Sequence, residues 1–137
     1  MMSRPRRPLI ANRRVLIVDD YVDSADAVAL CLDLLGFATH TAYGGFAALE
    51  IAATWQPSYI ILDIMMPDMS GFAVARRLRA DPLTADSILL AYTAANTPSD
   101  YSQAKSAGFD ALCEKPADPC HLATLLQSLS DPHKSNS

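Results

Sequence analysis

In the stretch "YIILDIMMPDMSG", residues 59–71, an apolar run stops at a single acidic residue. Residues 59–62 are continuously apolar, which is typical of a short strand buried on both faces of a parallel sheet. Asp63 follows at once, before two methionines, a proline and a loop. A turn or a helix cap would explain a lone carboxylate there. Its significance therefore depends on whether other charged groups converge on the same place.

Length and composition indicate one compact domain. The chain has 137 residues, and 50% of them are hydrophobic, which is ample for a single core. The apolar runs are too short to span a bilayer, and the arginine- and proline-rich N-terminus lacks the apolar stretch of a signal peptide. Three cysteines form no paired framework and no metal-ligand spacing, so we expect small core side chains in a reducing cytosol. We expect a cytoplasmic protein without membrane insertion.

Charge is unevenly distributed along the chain. Residues 1–14 carry five arginines and no acid, whereas the rest carries 15 acidic and 6 basic residues, which gives a net charge of −4. The acidic body argues against direct DNA binding. We interpret residues 1–12 as a basic, flexible N-terminal arm, 13–130 as the folded domain and 131–137 as a frayed C-terminal tail. The arm could instead contact an acidic surface or a phosphate backbone.

Strand and helix patterns alternate five times. Short apolar runs predict strands at residues 15–18, 38–42, 59–63, 87–92 and 111–114. Helical spacing predicts helices at residues 22–35, 44–55, 71–80, 99–107 and, after a cap at Asp118, 118–129. This alternation predicts an α/β fold of five parallel strands with right-handed crossover helices on both faces. The more polar segment 38–42 is expected at a sheet edge.

Polar side chains end or directly follow four of the five predicted strands. They are Asp19, Asp20, Asp63, Thr93 and Lys115. Taken singly, the acidic pair could cap a helix, the threonine could cap a turn and the lysine could be solvated. Ligands of parallel sheets, however, bind beyond the carboxyl ends of the strands, where these residues would all lie. Together these five residues, called the rim residues below because they lie at the carboxyl edge of the predicted sheet, indicate one site.

Clustered carboxylates need a counter-charge. Two like charges about 4 Å apart repel by roughly 4 kcal/mol at an effective dielectric constant of about 20, so three need a cation or partial protonation. Oxygen ligands on an open rim suit Mg²⁺, whereas zinc would favour His or Cys ligands. The three histidines, His40, His121 and His133, lie elsewhere in the pattern, and we expect all three at the surface. Mg²⁺ and Lys115 could neutralise a bound phosphoryl group, and a carboxylate in line could become an aspartyl phosphate.

Five segments give the chain a resemblance to the receiver domains of two-component response regulators, from about residue 13 to residue 129. They are "VLIVDD" (15–20), "TAYGGFAALE" (41–50), "LDIMMPDMSGF" (62–72), "YTA" (92–94) and "EKP" (114–116). No segment is decisive alone, but five in the right order are highly specific. The resemblance implies a flavodoxin-like (βα)5 fold with the sheet order 2-1-3-4-5.

The resemblance also implies roles for the rim residues. Asp63 would accept a phosphoryl group from a histidine kinase or a histidine phosphotransfer protein, and the phosphorylated chain would bind a downstream protein target. Asp20 and Asp63 would bind Mg²⁺ directly, Asp19 would act through water, and the main-chain carbonyl of Met65 would be a further ligand.

On the other side of the phosphoryl group, Thr93 would hydrogen-bond to it and Lys115 would form an ion pair with it. In the family the bond between this lysine and the next residue, here Pro116, is usually cis.

Some positions depart from the commonest pattern of the family. Leu112 stands where an aromatic ring often turns inward on activation, so we expect a smaller rearrangement there. Met65 and Ala95 lack polar side chains that could orient an attacking water, so we expect slow self-dephosphorylation. The alternative is that Met65 points into solvent and water enters freely. Tyr92 is expected to pack within its strand.

Three functional interpretations stay open from the sequence. The receiver pattern fills the chain, so we expect a stand-alone regulator that is not a turnover enzyme. A receiver domain cut from a larger hybrid kinase is also compatible with the arm and tail. A small-molecule phosphotransferase would need a substrate cap and a second acid–base carboxylate, but the insertions are too short, and Asp68 lies on the wrong side of Pro67.

Overall fold

Strands and helices alternate strictly in the structure, a computed structural model that describes residues 12–94 and 97–130. The ten elements in this part of the chain are β1 (Arg14–Val18), α1 (Val22–Leu34), β2 (Ala38–Ala42), α2 (Gly45–Trp55), β3 (Tyr59–Leu62), α3 (Gly71–Ala80), β4 (Ile88–Thr93), α4 (Pro98–Ala107), β5 (Ala111–Glu114) and α5 (Pro119–Ser130). Every predicted element is present. The predicted arm, apart from Asn12, and the predicted tail lie outside the described residues.

The five strands form one parallel sheet in the order β2-β1-β3-β4-β5, as predicted. The polar strand β2 lies at an edge, which confirms the expectation from its composition. Helices α1 and α5 contact each other on one face, and α2, α3 and α4 pack in series on the other. The order reverses between β1 and β3, so the carboxyl ends of these two strands flank the position where such sheets bind ligands.

The continuous apolar character of β3 follows from burial on both faces. Alternate side chains of a strand point to opposite faces. Ile60 and Leu62 belong to the cluster beneath α2, α3 and α4, whereas Tyr59 and Ile61 belong to the cluster beneath α1 and α5. All four side chains are buried. A strand between two apolar layers therefore has no polar position until it ends, and Asp63 is the first residue beyond it.

A side chain from the loop after β3 supplies the N-terminal acceptor that α2 lacks. The residue before α2 is Gly44, which has no side chain to cap the helix. Instead, the N–H of Gly45 donates to Asp68 Oδ1 and Oδ2, at 3.1 and 2.9 Å, and the N–H of Phe46 donates to Oδ2 at 3.4 Å. A carboxylate at a helix N-terminus is also favoured by the helix dipole. Asp68 thus fastens the β3–α3 loop to the preceding helix, α2.

The cysteine and histidine predictions have mixed outcomes. Cys113 is buried and Cys31 is half-buried, but Cys120 is exposed, so the expectation of a core position was wrong there. The reason is that α5 buries its Leu122, Ala123 and Leu126 side instead. His40 and His121 are exposed as predicted, and His133 lies outside the described residues. Within residues 12–94 and 97–130, no helix combines the length and apolarity needed to cross a membrane.

We predict that Asp68→Ala lowers the free energy of unfolding by about 1 kcal/mol near neutral pH, because the first N–H groups of α2 lose their acceptor. Glu50→Ala is the matched control, since it removes the same charge from an exposed position of α2. The control should change stability by less than about 0.5 kcal/mol. Chemical denaturation of the three proteins measures both effects, and equal losses would contradict the capping role.

This contribution should depend on pH. The hydrogen bond from the Gly45 N–H outweighs the effect of burial, so the pKa of Asp68 lies below its ordinary value of 3.8. A carboxyl group whose pKa is lower in the folded state stabilises the fold above the unfolded pKa, and the effect is lost as pH falls through the folded pKa. The stability difference between parent and Asp68→Ala should therefore shrink below about pH 4. An undiminished difference there would show that the charge is not involved.

Candidate functional site

Three carboxylates meet where β1 and β3 end. The two strands are paired with Val18 opposite Leu62, so the next residues, Asp19 and Asp63, emerge side by side. The Asp63 N–H continues the ladder by donating to the Val18 carbonyl at 2.9 Å. Oxygen atoms of Asp19, Asp20 and Asp63 all lie within 4.8 Å of one another. The structure therefore brings together the three acidic residues that the sequence singled out.

Burial differs among the three acids. Asp19 is 3% exposed and Asp63 is 8% exposed, whereas Asp20 is open to solvent. The Asp19 carboxylate also accepts from the Tyr21 N–H at 3.0 Å, which fixes the turn into α1. A ligand would therefore approach from the Asp20 side and meet Asp63 at the base of the cluster.

Lys115 supplies the positive charge of the site. It follows β5, yet its Nζ lies 2.6 Å from Asp19 Oδ2 and 3.2 Å from Asp63 Oδ2. Burial lowers the pKa of Lys115, but the hydrogen bonds and the charges of both carboxylates outweigh it and raise the pKa above its ordinary value of 10.5. The ammonium therefore stays charged between the two carboxylates over the whole physiological range.

Thr93 and Met65 complete the group of predicted site residues. Thr93 ends β4 with no exposed surface, and its carbonyl accepts the Lys115 N–H at 2.9 Å. The Met65 N–H donates to Asp63 Oδ1 at 3.1 Å, while its side chain is 65% exposed. The Asp63 carboxylate is thus held through Oδ1 by a backbone amide and through Oδ2 by Lys115.

Two departures from the family pattern, Leu112 and Met65, lie among the described residues, and their surroundings differ. Leu112 is half-buried and packs against the apolar cluster beneath α2, α3 and α4. Ala95 lies outside the described residues. The bond between Lys115 and Pro116 is cis, in agreement with the family pattern.

Gly71 is a residue of this site to which sequence reasoning gave no role. It begins α3, and its N–H donates to the Ile64 carbonyl at 2.8 Å. A Cβ at this position would lie 2.4 Å from the Asp63 carbonyl oxygen and 2.6 Å from Ile64 Cα. Only glycine permits α3 to begin this close to the backbone of Asp63. A glycine immediately after a short loop was the available signal.

The donor set fits a hard divalent cation. Three carboxylates offer only oxygen ligands, and the exposed position of Asp20 leaves room for waters, which Mg²⁺ usually keeps. A cation there and the Lys115 ammonium would place positive charge on two sides of Asp63. That arrangement could neutralise a phosphate-like anion beside a fixed carboxylate.

Comparison with known proteins identifies a matching family and several similar proteins. The model of the response regulator receiver domain family matches residues 15–127. The DNA-binding dual master transcriptional regulator RpaA of Synechocystis sp. is 37% identical over 105 residues, which cover 77% of this chain and 44% of RpaA. Response regulator PleD of Caulobacter vibrioides is 34% identical over 119 residues, which cover 87% of this chain and 26% of PleD. The chain thus spans less than half the length of these two proteins.

The fold comparison agrees. The structure of chemotaxis protein CheY4 from Vibrio cholerae aligns with a TM-score of 0.83 and 29% sequence identity, covering 87% of this chain and 99% of CheY4. The predicted flavodoxin-like architecture is therefore confirmed. Since the family model covers every strand of the sheet except the first residue of β1, and the rim residues occupy the ends of those strands, the chain belongs to the response regulator receiver domain family.

Proposed function

We propose that this chain is a phosphorylation-dependent switch in which Asp63 accepts a phosphoryl group from a histidine kinase or a histidine phosphotransfer protein. The observation that carries the proposal is the position of Asp63. It is buried at the end of the central strand, beside two further carboxylates and 3.2 Å from the Lys115 ammonium. Family membership supports it, because receiver domains are signalling switches phosphorylated on an aspartate.

The proposed chemistry is a direct transfer. An Asp63 oxygen attacks the phosphorus of the donor, the new O–P bond forms, and the bond to the donor's nitrogen or oxygen breaks. Lys115 pairs with the phosphoryl oxygens and Thr93 donates a hydrogen bond to them. Because Met65 and Lys115 hold the two oxygens of the Asp63 carboxylate, its orientation is set before the donor arrives.

Mg²⁺ is the cofactor that the oxygen-only donor set fits. Asp20 and Asp63 would bind it directly, Asp19 would act through water, and the Met65 carbonyl would be a further ligand. When bound, the ion neutralises the oxygens of the transferred group.

A switch fits the site better than a turnover enzyme. Asp68 was the nearest acidic residue in sequence that could serve as a second acid–base group, but its carboxylate binds the first N–H groups of α2. We propose that the phosphorylated domain acts by changed binding to a downstream protein and not to DNA, since the body of the chain is acidic. DNA binding is stated for RpaA, which is more than twice the length matched here. A receiver within a longer hybrid kinase would use the same site.

Labelling identifies the acceptor. With Mg²⁺ and acetyl phosphate, the parent should gain a single phosphoryl group by intact mass spectrometry, whereas Asp63→Asn should gain none, because an amide is not a competent nucleophile here. Glu50→Gln, which removes an exposed charge from α2, should label like the parent. Parent-level labelling of Asp63→Asn at another residue would contradict the assignment. Turnover of a small phosphate ester, supplied in place of acetyl phosphate, would favour the enzyme.

Metal binding should appear as a gain in thermal stability. Mg²⁺ at ten times its Kd should stabilise the folded form by about 1.4 kcal/mol, since it binds only that form. For a domain of this size the melting temperature should rise by roughly 3–6 °C. Asp20→Asn should abolish the rise, whereas Asp23→Asn, which removes an exposed charge from the first turn of α1, should retain it. A parent unaffected by millimolar Mg²⁺ would contradict the metal site.

Slow self-dephosphorylation stays a prediction. It was based on the apolar side chains of Met65 and Ala95, of which only Met65 is described, with 65% of its surface exposed. Met65→Asn combined with Ala95→Glu should shorten the life of the phosphorylated form by about tenfold or more, because polar groups can orient the attacking water. Decay followed by mass spectrometry after removal of the donor measures this. A double variant that decays at the parent's rate would show that solvent already enters freely past Met65.

A further inference from the structure

Tyr92 does more than fill space in β4. It is the residue before Thr93 and is only 8% exposed, with its ring in the cluster beneath α1 and α5. Its hydroxyl accepts the Ala117 N–H at 3.0 Å and lies 3.4 Å from the Ala117 carbonyl, to which it can donate. A phenylalanine would fill the same apolar space. What the hydroxyl adds is therefore its hydrogen bonding to the segment between β5 and α5.

That segment, residues 115–118, carries Lys115 and is held by two consecutive residues of β4. The Thr93 carbonyl accepts the Lys115 N–H, and the Tyr92 hydroxyl accepts the Ala117 N–H. Pro116 between them has no N–H to donate. The hydroxyl therefore takes the first N–H that is available after Lys115. The two bonds fix the segment on both sides of the proline.

Tyr92 also lies beside the charged end of Lys115. The Nζ atom is 5.5 Å from the centre of the Tyr92 ring, within the range of a cation–π contact, while it binds Asp19 and Asp63. A lysine side chain has a long flexible stem, so its backbone and its path must both be restrained before its charge has a defined place. One residue supplies both restraints here.

The ring of Tyr92 does not replace the ring that is missing at Leu112. Tyr92 belongs to the cluster beneath α1 and α5, whereas Leu112 packs on the opposite face, against the cluster beneath α2, α3 and α4. Tyr92 therefore connects the site to the start of α5, where Asp118 accepts the Cys120 N–H through its side chain. The contacts that distinguish Tyr92 are therefore those with Lys115 and with this segment.

We infer that Tyr92 is a positioning residue for phosphoryl transfer: its hydroxyl holds residues 115–118, and its ring restrains the Lys115 side chain, so that the ammonium stays beside Asp63. This inference rests on the proposed acceptance of a phosphoryl group at Asp63. Removal of the hydroxyl frees one side of the segment and leaves the half-buried Ala117 N–H without its acceptor. Because small displacements of a group that contacts the reacting atoms can slow a reaction by up to about a hundredfold, we expect about a tenfold effect.

The test compares Tyr92→Phe with Ser87→Ala. Ser87 is 1% exposed, precedes the other end of β4, and donates its hydroxyl to the Pro57 carbonyl at 2.8 Å. Each variant thus removes a side-chain hydroxyl that is hydrogen-bonded to the backbone of a single residue, so similar losses of stability are expected. The rate of labelling from acetyl phosphate is measured with Mg²⁺, well below both melting temperatures. Tyr92→Phe should be about tenfold slower than the parent, and Ser87→Ala within about twofold. Equal rates in parent and Tyr92→Phe, or equal slowing in both variants, would overturn the inference.

Amide hydrogen exchange without a donor gives a second, independent readout. In Tyr92→Phe, exchange should accelerate at Lys115 and Ala117, whereas Ser87→Ala should leave these amides unchanged. Unchanged exchange in Tyr92→Phe would show that the hydroxyl does not hold the segment. A parent that takes up no phosphoryl group would overturn the proposed function and with it the role of Tyr92 in transfer. Labelling of the parent together with an unaffected Tyr92→Phe would overturn the role of Tyr92 alone.

Discussion

The ammonium of Lys115 between Asp19 and Asp63 is the contact on which the rest of the site depends. The parallel sheet forces the two carboxylates together, because β1 and β3 are neighbours and each is followed directly by an aspartate. Such a pair, nearly free of solvent, would repel strongly without a cation. The lysine that balances it is 96 residues from Asp19 and 52 from Asp63 in sequence, so the site is complete only when β5 has joined the sheet.

Contacts outside the charged cluster hold the side chains of the candidate site in place. Gly71 lets α3 begin against the backbone of Asp63, and Asp68 ties the same loop to α2. Tyr92 holds the segment that carries Lys115. In each case a short loop at the carboxyl edge of the sheet is fixed by a neighbouring strand or helix. Precise geometry is thereby obtained from loops, which are otherwise the most mobile parts of a domain.

The sequence predicted the elements and the rim residues because both depend on local pattern and on a simple rule. Continuous apolar runs mark strands buried on two faces, and parallel strands present all their carboxyl ends at one edge. The acceptor bonds made by Asp68 and Tyr92 leave no such pattern, because they join residues 23 and 25 positions apart. The bonds of the Arg79 guanidinium were also not predictable from the sequence. It donates to the carbonyls of Ala85, Ser87 and Gly108, and no periodic pattern indicates these contacts.

A crystal structure of the chain with Mg²⁺ and beryllium trifluoride, a stable stand-in for the phosphoryl group, tests the central claim most directly. We expect the beryllium to be bound to an Asp63 oxygen, with Lys115 Nζ moved from the carboxylates to a fluorine and the metal bound by Asp20 and Asp63. Because three carboxylates share the cluster, the adduct reports which of them is the acceptor. Trifluoride on Asp19 or Asp20, or a Lys115 ammonium that makes no contact with it, would contradict the account.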